Sequence, residues 1–165
     1  MNSFILYEGK SQLDGKPIVV IATGLNGSAN KKTGSLVQTW IIRSDIAPHE
    51  AIKTGDDSSI CGDCTHRGKI VDGKLEGRSC YVLTHQAPLS VYKSFLKGKY
   101  TKPSEKEIRM LLKGKKLRLG AYGDPLAVPF EIWDNALSYT IGNTGYTHQW
   151  KTGDSRFNQI LMASC

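Results

Sequence analysis

Short apolar runs separated by glycine- and lysine-rich turns open the chain. Phe4 to Glu8 and Pro17 to Ala22 read as strands joined through a turn at Leu13-Asp-Gly-Lys16. Ile18-Val-Val-Ile21 is a continuous run rich in β-branched residues, the pattern of a buried strand. Leu36 to Ile42 is a third strand, and the strand, polar loop and strand over residues 17–42 predict an antiparallel hairpin. Periodicity then fades until residue 87. Ala87 to Gly98 reads as a helix, with Pro88 in its first turn and Gly98 as its stop. Ser104-Glu-Lys-Glu107 is a capping box that opens a second helix, with Ile108, Leu111 and Leu112 on its apolar face and Gly114 at its end. Leu117 to Tyr122 is a strand, Pro129 to Leu137 a helix, and Thr144 to Trp150 and Ile160 to Ser164 are two further strands.

Helices and strands alternate from about residue 88 onward, which argues for parallel pairing there. The expected class is α/β (or α+β), a single domain over residues 1–165. It has a β-rich N-terminal half, a metal-pinned loop at 58–82, and a C-terminal half resembling a partial barrel. A chain of 165 residues is long enough to bury a real core. Its longest apolar run, Ile18 to Ala22, is far too short to span a bilayer, and the N-terminus lacks the basic and apolar regions of a secretory signal. The expected location is cytoplasmic and reducing. In that setting a close cysteine pair is read as a metal or redox site and not as a structural disulfide.

The aperiodic stretch carries the main chemical signal. Cys61-Gly-Asp-Cys64-Thr-His66 is followed by Cys80, so three of the four cysteines fall within twenty residues. The C-x2-C spacing lets two sulfurs grip one ion from a single turn. Tetrahedral zinc needs a fourth ligand, and His85, His66 and Cys165 are the candidates. With His85 the pattern is C-x2-C-x15-C-x4-H. An iron–sulfur cluster is the alternative cofactor, because thiolates suit both metals. The competing reading is three free thiols, some packed as small hydrophobes.

Charge adds a second feature. The net charge of +7 sits in one segment: Lys93 to Arg118 holds ten basic and two acidic residues. Lys97, Lys99, Lys102, Lys106, Lys113, Lys115 and Lys116 form a stripe of the kind that meets nucleic acid, or else a solvated face that keeps the protein soluble. Two catalytic candidates stand near strand ends. Asp124, in Gly123-Asp-Pro125, sits at the edge where parallel α/β folds bind ligands, although an aspartate before proline also caps turns. His148 lies among Tyr146 and Trp150, and a packed histidine is the competing reading. Asn30-Lys-Lys-Thr-Gly34 lacks the spacing of a phosphate loop and reads as a hairpin turn.

Asn30-Lys-Lys-Thr-Gly34, Val37-Gln-Thr-Trp-Ile41, Ser59-Ile-Cys-Gly-Asp-Cys64, Ser79-Cys-Tyr-Val82, Leu117 to Pro125 and Leu161-Met-Ala-Ser164 together resemble a family of uncharacterised bacteriophage and plasmid proteins. The resemblance implies a phage-type accessory protein in a host cell and brings no established activity. It also implies a continuation beyond the Met-Ala-Ser strand into a further helix, strand and cysteine cluster, so that a chain stopping at Cys165 would be a shortened member or a fragment. Tyr122-Gly-Asp-Pro125 and the cysteine loop have a more distant similarity to radical SAM barrels, though the spacing differs from C-x3-C-x2-C; this bears on architecture alone. The leading expectation is an accessory protein with a structural metal site that binds nucleic acid or a host protein. The alternatives are an iron–sulfur or zinc-dependent enzyme with its pocket at the Gly123-Asp124-Pro125 strand end, and an inhibitor of host machinery.

Overall fold

The architecture is mixed α/β, as the pattern predicts. A computed structural model describes residues 1–27 and 36–164; the Asn30–Gly34 turn and Cys165 lie outside the described residues. Strands β1 (Ser3–Lys10), β2 (Pro17–Thr23) and β3 (Leu36–Arg43) form an antiparallel meander. Their β-branched runs are buried: Ile18 through Ala22, Val37, Ile41 and Ile42 have no exposed surface.

Helices α1 (Pro48–Thr54), α2 (Ser58–Cys61), α3 (Ala87–Leu96) and α4 (Glu105–Leu111) fill the crossover from β3 to β6 (Lys116–Tyr122), which pairs parallel to β3. Ser104 and Glu107 form the predicted capping box at the start of α4. Helix α5 (Phe130–Leu137) carries the chain to β7 (Gly142–Thr147), parallel to β6, and a 3-10 turn at Ser155–Gln159 leads to the two-residue strand β8 (Met162–Ala163), parallel to β7. The main sheet therefore runs β1-β2-β3-β6-β7-β8, antiparallel in its first part and parallel in its second. One cluster of buried apolar side chains extends from Phe4 to Phe157 and includes Trp133, whose indole donates to the Pro125 carbonyl at 2.9 Å. No helix among the described residues is long and apolar enough to cross a membrane.

Several predicted bounds shift for local reasons. Strand β7 ends at Thr147 instead of Trp150, because the Thr147 hydroxyl accepts from the Gln149 amide at 3.0 Å and turns the chain. Strand β8 is shortened because the amides of Ile160 and Leu161 both donate to the Phe157 carbonyl and belong to the preceding turn. In β6 the pairing with β3 shifts register, and Thr39 Oγ1 fills the gap by accepting from the Gly120 amide and donating to the Arg118 carbonyl. Gly120 has φ +77°, and a Cβ there would stand 2.5 Å from the Gly123 carbonyl oxygen. Only glycine meets both constraints.

The segment at 58–82 differs from expectation in having internal structure. It contains α2, a 3-10 turn at Thr65–Arg67, and a small hairpin of β4 (Lys69–Val71) and β5 (Lys74–Glu76). It is also anchored in the core, since Ser59 and Ile60 are buried, as is Asp57 just before it.

Candidate metal centre

The cysteines are placed by a dense local network. Helix α2 has four residues, too short to hold itself, and its position comes from outside contacts. Ser59 Oγ donates to Asp14 Oδ2 at 2.7 Å and accepts from Arg43 Nη1 at 3.1 Å, while the Ser59 carbonyl accepts from Ser11 Oγ at 2.6 Å. Asp57, just before the helix, pairs with Arg67, just after Cys64, at 2.8 Å. The same guanidinium donates to the carbonyls of Gly62 and Gly55 at 2.7 and 3.1 Å, so it spans the whole C-x2-C turn. From the far side Gln149 donates to the Cys61 carbonyl at 3.2 Å. Its amide lies where a Cβ on Gly62 would stand, at 2.5 Å, and Gly62 has φ +58°.

Cys80 returns to this turn through the β4–β5 hairpin. The amides of Ser79 and Cys80 both donate to the His66 carbonyl at 3.1 Å, and the His66 ring shares a hydrogen bond with Ser79 Oγ at 2.9 Å. The hairpin turn is Asp72-Gly73, with φ +50° and +76°. An Asp-Gly pair between Ile70-Val71 and Lys74-Leu75 is a strong hairpin signal, and it could have shown from sequence how fifteen intervening residues fold away to bring Cys80 back.

Cys61, Cys64 and Cys80 line one cavity of about 180 Å³. The same cavity is lined by β6 and the two residues after it, from Arg118 to Asp124, together with Thr144 to Tyr146 of β7 and with His148. The cysteine segment thus closes over the carboxyl ends of parallel strands, the usual position of a ligand in an α/β sheet. Burial pushes the Cys61 thiol well up, and the negative charge of Asp57 and of the neighbouring thiolates adds to this. Cys64 is raised mainly by burial, with Cys80 adding to the shift. Thiolates that disfavour one another's charge are the donor set that a cation stabilises. Among the described residues, no three His, Cys, Asp or Glu side chains stand close enough together, as placed, to hold one ion.

Of the described histidines only His148 lines the cavity, and its ring meets that of His66 edge to face with centroids 5.7 Å apart. His85 is exposed in the turn before α3 and does not line it. Asp124 is buried, and its acceptor positions are taken. Oδ1 accepts from Leu126 N (3.0 Å) and Thr147 Oγ1 (2.8 Å), and Oδ2 from His148 N (2.9 Å). Burial nevertheless pushes its carboxyl above the ordinary range, against the pull of those donors. This geometry makes Asp124 a positioning residue: it caps the Pro125–Ala127 turn, ties the end of β6 to the end of β7, and sets the backbone of His148. Tyr122 was missed in the sequence. It is 3% exposed, it lines the cavity, and its hydroxyl has no hydrogen-bond partner among the described residues.

The lysine stripe divides in three dimensions. Lys97, Lys99, Lys102, Lys106, Lys113 and Lys116 are exposed. Lys115 turns inward and donates to the Leu25 carbonyl at 2.8 Å, Lys102 faces Glu8 at 3.8 Å, and Arg118 lines the cavity. Comparison with protein-family models, curated proteins and solved structures finds no match to this chain.

Proposed function

We propose that this protein holds a thiolate metal centre on Cys61, Cys64 and Cys80, and that the centre acts as an enzyme site, with a small substrate meeting the metal in the adjoining cavity. One observation carries the reading: the three cysteines line the same cavity as the C-terminal ends of the parallel strands. A purely structural zinc site is closed by four protein ligands, whereas three protein ligands facing a cavity leave a position for substrate. A cluster held by three cysteines has the same property. Asp124 and Gln149 support the reading by fixing the β6 and β7 ends against the cysteine turn.

The test is metal and sulfide analysis, with visible spectra, of protein purified without oxygen. Iron with acid-labile sulfide and a brown colour, or about one zinc per chain without colour, supports the centre and names its metal. Serine at Cys61, Cys64 or Cys80 then removes the metal. A folded, colourless protein without bound metal refutes the proposal.

The exposed lysines favour a second reading, that of a nucleic-acid-binding accessory protein. Replacing Lys113 and Lys116 by glutamine should lower the slope of log affinity against log salt by about two. Absence of binding by the unmutated protein at low salt refutes it, and capture of a host protein in its place would favour the inhibitor reading.

A further inference from the structure

Arg118 is the one arginine or lysine among the described residues that lines the cavity. It lies on β6 between Leu117 and Leu119, which are both buried in the core, so strand alternation directs its side chain to the opposite face. Nη2 donates to the Tyr81 hydroxyl at 2.9 Å, while Nη1 reaches Gln38 Oε1 only at 3.5 Å, the outer limit of a hydrogen bond. Arg43, Arg67 and Arg156 each face a carboxylate, but Arg118 has no ion pair among the described residues. A half-buried guanidinium that shares its cavity with Val82 and Tyr146, and that makes no ion pair with Asp124 or any other described carboxylate, is a charge without a direct counter-charge. Such a charge attracts an anion strongly, because low polarity strengthens the attraction and the planar fork matches an oxyanion.

Tyr81 completes the arrangement. It is 77% exposed at the cavity mouth, and its oxygen accepts from Arg118. Its own O–H donates to nothing among the described residues. A ligand oxygen next to Arg118 would therefore meet two donors, the guanidinium and the phenol. The charge balance decides which anion. Arg118 is the one cation among the described lining residues, Arg78 stands near Tyr122 but donates to the Val82 carbonyl, and the Asp124 carboxylate lines the same cavity, so the balance suits one carboxylate better than a phosphate, which near neutral pH carries close to two charges.

We propose that the cavity takes a small molecule bearing a single carboxylate, held by Arg118 and Tyr81, with its apolar body against Val82 and Tyr146 and directed toward the cysteines. The proposal rests on the metal-centre reading for what happens to the ligand, but not for how the ligand binds.

Isothermal titration of the full chain with benzoate, benzamide and inorganic phosphate at constant ionic strength tests it, run with and without bound metal. Benzoate should bind about tenfold or more tightly than neutral benzamide. Arg118→Gln should remove that preference and leave benzamide binding unchanged, Arg118→Lys should keep part of it, and Tyr81→Phe should lose less than Arg118→Gln. Thermal denaturation of each variant establishes that it folds. Equal binding of benzoate and benzamide, no benzoate binding, or an unchanged preference in folded Arg118→Gln overturns the proposal. Tighter binding of phosphate overturns the carboxylate assignment. Metal content of the same samples separates the two readings. Failure of the carboxylate arm with metal retained removes only this proposal, and loss of the metal centre with carboxylate preference intact removes only the other.

Discussion

Replacing Arg67 by methionine keeps most of the side chain's volume but removes the cation that pairs with Asp57. Asp57 is 2% exposed, and its Oδ2 already lacks a hydrogen-bond partner among the described residues, so Arg67 is the counter-charge that this carboxylate depends on. Breaking a buried ion pair from one side costs about 3–5 kcal/mol. The Arg67 side chain is 20% exposed, which lets water replace part of it and places the expected loss near the lower end, about 3 kcal/mol. The hydrogen bonds to the Gly62 and Gly55 carbonyls add about 1 kcal/mol, since both carbonyls lie in half-buried turns that water reaches once the side chain is gone. For a domain of this length each kcal/mol shifts the melting temperature by about 2–4 °C, so the variant should melt about 8–16 °C lower. Circular dichroism on heating measures this directly. The double variant Asp57→Asn with Arg67→Met removes the stranded charge and should recover a substantial part of the loss. A fall of under about 2 °C in the single variant, or a double variant no more stable than it, would refute the view that this pair holds the cysteine turn in place.

Three further outcomes follow from the same network. Ser59→Ala removes the buried hydroxyl that accepts from Arg43 and donates to exposed Asp14, and should cost about 1–3 kcal/mol by urea denaturation; a neutral result would mean that α2 is placed by packing alone. Gly120→Ala forces a left-handed backbone on a residue with a Cβ and pushes that atom into the Gly123 carbonyl, so a loss of about 2 kcal/mol or more is expected, and an equally stable variant would contradict the bulge geometry. Asp124 has its folded-state pKa raised by burial, so its favourable contribution is complete below the ordinary aspartate value of about 3.9 and is lost as pH rises through the raised value. The stability of the unmutated protein relative to Asp124→Asn, which does not titrate, should therefore fall across the mildly acidic range and then level off; a difference that grows with pH would reverse the sign of the argument.

Most of the sheet was legible because its signals are local. Ile18 to Ala22 needs no partner to be read as a buried strand, and Ser104 with Glu107 marks a helix start within four residues. Helix α3 also matched, ending at Leu96 with Gly98 at φ +66° just beyond it. The internal structure of the cysteine segment was not legible in the same way. Asp57 and Arg67 are ten residues apart, and nothing in their spacing shows that they pair beneath a turn; Ser59 meets Asp14 from forty-five residues away. The cavity depends on parallel register, which sets Gln38 beside Arg118 and Leu119 beside Gly145, and such pairings leave no trace in either strand alone. Charge was the most misleading guide. Ten basic residues in one stretch of sequence read as one stripe, yet Lys115 donates to the Leu25 carbonyl and Arg118 lines the cavity.

The Asp124 carboxylate fastens two neighbouring strand ends with one side chain, and the consequence concerns motion. The wall of the cavity built from β6 and β7 behaves as a single plate, because Leu126, Thr147 and His148 all hang from the same two oxygens. The facing wall near Tyr81 is plain coil between β5 and α3, tied to the rest by the His66 carbonyl and by the Arg118 donation to the Tyr81 hydroxyl, with an Arg78 contact to the Val82 carbonyl at 3.2 Å inside the coil itself. A jaw with one stiff and one pliant side closes by moving the pliant one. Adaptation to different guests would then be written in the residues around Tyr81, while the stiff plate keeps the geometry of approach constant.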